Sequence, residues 1–407
     1  MKKTFQFIIA AALAFTLASC GKDDDFDASI FDTDIAAVDD SQATAPFDQW
    51  LYDNFVLPYN TEIQYKFNFP ASNLDFQLTP AEYNKSQLLA QYIKYLFYDV
   101  YTLHGGKDFM KKYGPRIFHF IGSAAYSPTT GTETLGYASA GVKITLINVN
   151  NMKFWTPENE YTQADMELLN KDQFHTMHHE FSHILHQTKS YPVAYGQVTP
   201  GSYDPITWQE RDSVKSHSLG FLTQYGSSAT YEDFVELLSC TITDTDTRWM
   251  NTIIDACANG GLKVGDKEQV LTLIDSLEID TVKTWNKFAM YEETHVSSAT
   301  GETEKRFVPS FHIADARQEY AAKDEAAPTY TKVAEFDYFL QYLNWAESHA
   351  TAEGAGMNAI LKKFDIATKW YTDSWGLYLF QIRREVRKRQ EAINEYTRNN
   401  VIIYDLK

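Results

Sequence analysis

The chain has 407 residues, 44% of them hydrophobic and 15% aromatic, enough apolar material for one large core or two modest ones. That excludes a disordered polymer. The net charge of −18 excludes nucleic acid as a partner, because phosphate binding needs a basic surface. Part of this charge is local, since residues 22–40 hold eight Asp against one Lys.

Residues 1–19 read as a signal peptide. Lys2 and Lys3 precede an apolar run from Phe5 to Leu17 that is too short for a permanent span. The run ends in Leu17-Ala18-Ser19-Cys20, which resembles a bacterial lipobox. That resemblance implies that Cys20 becomes the first mature residue and carries a membrane-anchoring lipid; the plainer alternative is a cleaved signal with an incidental cysteine. Gly21-Lys22-Asp23-Asp24-Asp25 resembles the Lys-acidic signal that sends lipoproteins of the Bacteroidota to the cell surface, and a solvated acidic spacer reads equally well. Residues 20–45 form an acidic tether.

Folded structure is expected from Pro46 onward. Glu62 to Phe69 alternates apolar and polar residues, as a half-buried strand does. Thr79-Pro80-Ala81-Glu82 reads as a helix start, with a periodic run to Leu103 that Gly105-Gly106 stops. Arg116 to Gly122 and Val142 to Val149 read as strands, with 127–141 as a hairpin connection between them. A helix is expected over 172–187, a proline-bearing loop over 188–217, and further helices over 231–241 and 267–289. Residues 290–332 are polar and turn-rich, and Met357 to Asn399 is helical with a break near Thr372-Asp373. Strands followed by helices make this an α+β arrangement. Three parts are expected within it: 46–289, an irregular insertion over 290–350, and a helical part over 351–407.

Cys240 and Cys257 either form one disulfide, worth about 3 kcal/mol for a loop of that length, or remain buried thiols. The basic run from Arg383 to Arg389 reads as a solvated helix face.

The chemistry lies in His179-Glu180-Phe181-Ser182-His183, an HExxH pattern on the helix expected over 172–187. Residues four apart share a helix face, with Cβ atoms about 5–6 Å apart, so His179 and His183 can grip one ion together. Zinc lowers the pKa of a water to about 7, and Glu180, beside the first histidine, is the base placed to take its remaining proton. Phe174, Phe181 and Leu185 supply the buried side of the helix. His175, His178 and His186 crowd the same segment and read as hydrogen-bonding or partly exposed residues, with His186 also within reach of the metal or its surroundings.

Catalytic zinc takes three protein ligands and a water. Glu232 and Glu236, four apart on the helix over 231–241, are candidates for the third. Ser228 or Thr230 would cap that helix. Two carboxylates turned inward beside Phe234 and Leu237 are costly unless they bind something. As exposed acids in a first helical turn they would instead meet the helix dipole favourably.

HEFSH followed about 50 residues later by Tyr225-x6-Glu232-Asp233-Phe234-x-Glu236 resembles the gluzincin metallopeptidases, the branch that includes anthrax lethal factor and the Pro-Pro endopeptidases. The resemblance implies a zincin-like fold with one catalytic zinc on His179, His183 and Glu232. It also implies that Glu236 orients a histidine ligand and that Tyr225 stabilises the oxyanion. Val235 stands where that branch often has Ala. With the lipobox, the acidic tether and Phe47-Asp48-Gln49-Trp50-Leu51, the chain is also similar to the zinc metallopeptidase lipoproteins of the Bacteroidota. These accompany surface importers made of a TonB-dependent channel and a lipid-anchored binding lid, and the likeness covers most of residues 1–250 and the tail near Trp375.

The expected function is thus hydrolysis of peptide or protein substrates by a zinc-activated water, with Glu180 as base, from an outer-membrane lipoprotein facing the cell exterior. Two other readings compete. One is an accessory binding lipoprotein of a nutrient importer, in which the zinc turns nothing over. The other is hydrolysis of a different amide, since the pocket rather than the metal chooses the bond.

Overall fold

A computed structural model describes residues 39, 41–68, 76–126, 142–244 and 355–406, together with the shorter pieces 72, 133–134, 136–139, 248, 252, 255–256, 290–296 and 303–309. The signal peptide, Cys20, nearly all of the tether, Cys257, the helix expected over 267–289 and most of the 290–350 insertion lie outside the described residues.

The chain enters through helix α1 (Ala45–Leu51), which runs on through a π-turn, Tyr52–Val56, to Tyr59. Strand β1 (Glu62–Gln64) follows, shorter than its alternation suggested. Helix α2 (Tyr83–Ile93) begins at Tyr83 and reaches Gly105 through a second π-turn, Lys94–Tyr98, with Gly106 stopping it at φ +87°. After α3 (Phe109–Tyr113) come β2 (Ile117–Phe120), the paired β3 (Ala125–Tyr126) and β4 (Glu133–Thr134), then β5 (Gly136–Ser139) and β6 (Lys143–Leu146).

The main sheet has the order β1-β2-β6-β5, with β1, β2 and β6 parallel and β5 antiparallel to β6. The hairpin expected between β2 and β6 is therefore corrected. These strands are parallel neighbours, so the chain must cross over before it returns, and the antiparallel pairs formed on the way are β3–β4 and β5–β6. A parallel central strand is covered on both faces, which explains why His119 is as buried as Phe118 and Phe120. Gly122, just past β2, permits a close crossing: a Cβ there would lie 2.0 Å from the Pro80 carbonyl oxygen.

Helix α4 (Gln163–Leu169) starts at a capping box made by Thr162 and Asp165. It continues through a third π-turn, Asn170–Phe174, into α5 (His175–Thr188), the HExxH helix. The segment that follows is largely irregular, with short turns at Val193–Tyr195 and Trp208–Glu210 and one brief helix, α6 (Ser213–Ser218). Helix α7 (Thr230–Thr243) packs against α5. Its N-cap is Ala229, without a side-chain bond. Neither Ser228 nor Thr230 caps it, because Ser228 closes the turn Tyr225–Ser228 and Thr230 is already the first helical residue.

Strands β7 (Met290–Val296) and β8 (Thr303–Pro309) pair antiparallel within the segment expected to be irregular. The tail forms α8 (Ala355–Trp375), α9 (Leu379–Glu391) and α10 (Ile393–Asn400), and its break falls at Gly376, φ +65°, a few residues after Thr372-Asp373. The basic run is not a solvated face throughout. Arg383 is fully buried, because α9 packs on α7 and turns that residue toward the end of α7. Among the described residues no helix is long and apolar enough to cross a membrane. Phe97, Phe118, Phe181, Phe234, Tyr371 and Phe380 belong to one buried cluster that joins the sheet, α2, α5, α7 and the tail.

Candidate metal centre

Helix α5 is apolar on one side and histidine-rich on the other. Phe181 packs edge-on against Phe97 at 5.1 Å between ring centroids and against Tyr101 at 5.0 Å, which fixes the helix on the core. His179 and His183, one turn apart, then face α7, where Glu232 sits in the first turn and Glu236 one turn on.

Three donor atoms converge. His179 Nε2 and His183 Nε2 lie 3.1 Å apart, and each is 3.2 Å from Glu232 Oε2. The other ring nitrogens are occupied. His179 Nδ1 donates to Glu236 Oε1 at 2.6 Å, and His183 Nδ1 meets His186 Nε2 at 2.9 Å. A carboxylate can only accept, so in the neutral His179 ring the proton sits on Nδ1 and the Nε2 lone pair points into the cluster. Glu236 also accepts from His175 Nε2 at 2.9 Å and from the Thr223 hydroxyl at 2.6 Å.

The charges match this layout. Burial pulls His179 down, but Glu232 and Glu236 outweigh it and hold the ring up at about 10. Burial likewise pushes Glu232 up, and His179 and His183 overcome it to hold the carboxyl at about 2. Glu236 is pressed upward by burial and held well below the usual carboxylate range by His175 and His179. Burial and the neighbouring His183 push His186 down to about 4. Of these rings it is His179 that the two carboxylates favour in its protonated form when no metal is bound.

The fit to the expected ion can be tested on spacing. A tetrahedral zinc with bonds of about 2.0–2.1 Å separates its ligands by about 3.3–3.4 Å, close to the observed triangle of 3.1, 3.2 and 3.2 Å. Two imidazole nitrogens and one carboxylate oxygen are also the donor types zinc accepts with a fourth position left open. The residues fit the ion. A second group, His175, Cys240 and Asp244, also gathers donors within 4.8 Å. There the charge is already met, because Arg248 faces Asp244 at 3.4 Å and His175 is engaged by Glu236.

Glu180 is buried beside the pair and acts electrostatically on both His179 and Tyr225. Tyr225 is 39% exposed, its ring 5.9 Å from that of His179 and edge-on to Trp208 at 5.1 Å. Burial and the nearby Glu232 raise its phenol above the ordinary value, so it remains a hydrogen-bond donor across the physiological range.

All six residues singled out from the sequence around HEFSH and the Tyr225–Glu236 stretch thus meet at one place. Sequence reasoning missed Thr223, the partner of the second Glu236 oxygen, and Lys363, which meets Asp233 from α8. Neither lies at a spacing that could have marked it. Cys240, on α7, is buried, while Cys257 lies outside the described residues.

A family model described as "Putative zinc-binding metallo-peptidase" matches residues 40–379. Among solved structures, one described as a putative zinc-binding metallo-peptidase from Bacteroides caccae is similar, with a TM-score of 0.54 and 25% identity. The match covers 89% of this chain and 97% of that one. No curated protein matches.

Proposed function

The chain belongs to this family of zinc-binding metallo-peptidases, and from that premise we propose that it is a gluzincin-type peptidase held on the outer membrane by a lipid at Cys20. The observation that carries the catalytic part is the convergence of His179 Nε2, His183 Nε2 and Glu232 Oε2 at 3.1–3.2 Å, with Glu180 and Tyr225 beside them. These three residues would hold the ion. Zinc bound there supplies Lewis acidity, which polarises a carbonyl and brings the pKa of water to about 7.

The chain's own groups do the rest. The Glu180 carboxylate takes a proton from the attacking water and passes it to the leaving amine. The Tyr225 phenol donates a hydrogen bond to the scissile carbonyl oxygen as negative charge develops on it. Glu236 and His186 keep the ligand rings oriented through their far nitrogens. Anthrax lethal factor and the Pro-Pro endopeptidases share the Tyr-x6-Glu spacing, which supports the roles given to Tyr225 and Glu232. The lipobox and the acidic residues after it support the surface location, beside a TonB-dependent importer and its binding lipoprotein, with peptides or proteins as substrate.

The test is metal content together with cleavage of a diverse peptide library. The protein is expected to carry about one zinc. Glu180→Gln should retain it while losing about 100- to 10,000-fold in turnover. Stoichiometric zinc without cleavage of any peptide would remove the peptidase assignment and leave the accessory binding role and hydrolysis of a different amide.

A further inference from the structure

A fully buried lysine reaches the ligand helix from the far end of the chain. Lys363, on α8, is 0% exposed at its side chain, and its ammonium meets Asp233 Oδ2 at 2.8 Å. It also donates to the Gly220 carbonyl oxygen at 2.8 Å and lies 4.0 Å from the centre of the Phe221 ring. Asp233 is equally enclosed, accepting the Tyr203 hydroxyl at 2.8 Å on the same carboxylate oxygen, while its backbone carbonyl accepts the Tyr195 hydroxyl at 3.0 Å. Gly220 has φ +88°, and a Cβ there would come within 2.5 Å of the Ala359 Cβ, so the carbonyl that Lys363 needs is presented by a residue only glycine can be.

This pair is a costly way to join two helices. Burial pushes Lys363 down and Asp233 up, against their mutual attraction. Apolar side chains of similar volume would bind α8 to α7 at least as well. What an ion pair adds is direction. Asp233 directly follows Glu232, and one residue turns a helix by about 100°. Asp233 therefore faces the C-terminal helices when Glu232 faces the histidines. Glu236, one turn beyond Glu232, moves with it. The other end of α7 is held in a similar way, since the fully buried Arg383 on α9 donates from Nη1 to the carbonyls of Thr241 at 2.7 Å and Asp244 at 2.8 Å.

We propose that Lys363 is a positioning residue for the metal ligands: by pairing with Asp233 it sets the rotation of α7 and so the direction of the Glu232 carboxylate. The C-terminal helices are then part of the metal centre although they supply no ligand. This rests on the reading of Glu232 as a zinc ligand.

The experiment compares the full chain with Lys363→Met and with the charge-free double variant Lys363→Met/Asp233→Asn. Zinc affinity is read by competition with a chromophoric chelator, and site geometry by the visible absorption of the cobalt-loaded protein. The single variant strands a buried carboxylate and is expected to lose stability, so the double variant decides. It should unfold close to the wild-type temperature, bind zinc about 10-fold or more weakly, and show a shifted cobalt spectrum. A folded double variant with wild-type affinity and spectrum would overturn the proposal. A wild-type protein that binds neither zinc nor cobalt would overturn the metal centre itself, a result the first measurement separates from the other.

Discussion

At the scale of single residues, Glu236 ties three groups around the centre together without being counted as a ligand. One oxygen serves both His175 and His179, and the other accepts from Thr223. Replacing it with Ala would leave His179 free to rotate and its Nδ1 without an acceptor. Glu236→Ala is therefore expected to weaken zinc binding about 10- to 100-fold, read by chelator competition, while Glu236→Gln, which keeps an acceptor oxygen, loses less. The His pair and Glu180 were legible because their spacing is a local property of one helix. The choice between Glu232 and Glu236 was not legible from spacing alone, since both lie on one face of α7. Glu232 points its oxygen between the two Nε2 atoms, whereas Glu236 reaches behind His179, and that difference arises only where α5 and α7 meet.

At the scale of elements, the HExxH helix does not begin at His175. It is continuous through the π-turn with α4, whose first turn is closed by the Thr162–Asp165 capping box, and Asp165 also pairs with Lys153 at 2.7 Å. Thr162→Ala is expected to cost about 1 kcal/mol in urea unfolding at neutral pH. The Lys153 and Thr162 contacts hold the Asp165 carboxyl at about 2, below its ordinary 3.8. A depressed carboxyl stabilises the fold above its unfolded value, and that contribution fades as pH falls from about 4 toward 2. The gap between wild type and Asp165→Asn should thus narrow over this window, and a constant gap would show that the charge is not what matters. Helices with a clear apolar period were readable in advance. The strand order was not, because β2 and β6 pair in parallel across a crossover that leaves no trace in local alternation.

At the scale of the whole molecule, the metal centre joins parts that are distant in sequence. Helices α5 and α7 carry the residues that converge, α8 and α9 hold α7 from behind, and Trp370 of α8 packs edge-on against Phe234 at 5.0 Å. An ion that binds only where these parts meet must stabilise all of them. Free zinc at 100 times its dissociation constant is expected to add about 2.7 kcal/mol to unfolding, so stripping the metal with a chelator should lower Tm and restoring zinc should recover it. A Tm indifferent to zinc would mean that the folded chain does not bind it.

The sequence by itself determined the α+β class, the helix that carries HExxH, and the two acidic candidates, because each depends on local pattern along one element. It also located the apolar faces that bury α5 and α7. Only the tertiary structure decided which carboxylate lies between His179 Nε2 and His183 Nε2, that Thr223 and His175 complete the shell around Glu236, and that Arg383 is a buried cap rather than part of a solvated face. Those outcomes depend on how helices rotate against each other when they pack, and a rotation of one residue, about 100°, exchanges an inward side chain for an outward one. Local periodicity sets which face is apolar; only the partner helix fixes where the polar residues at its edge must point.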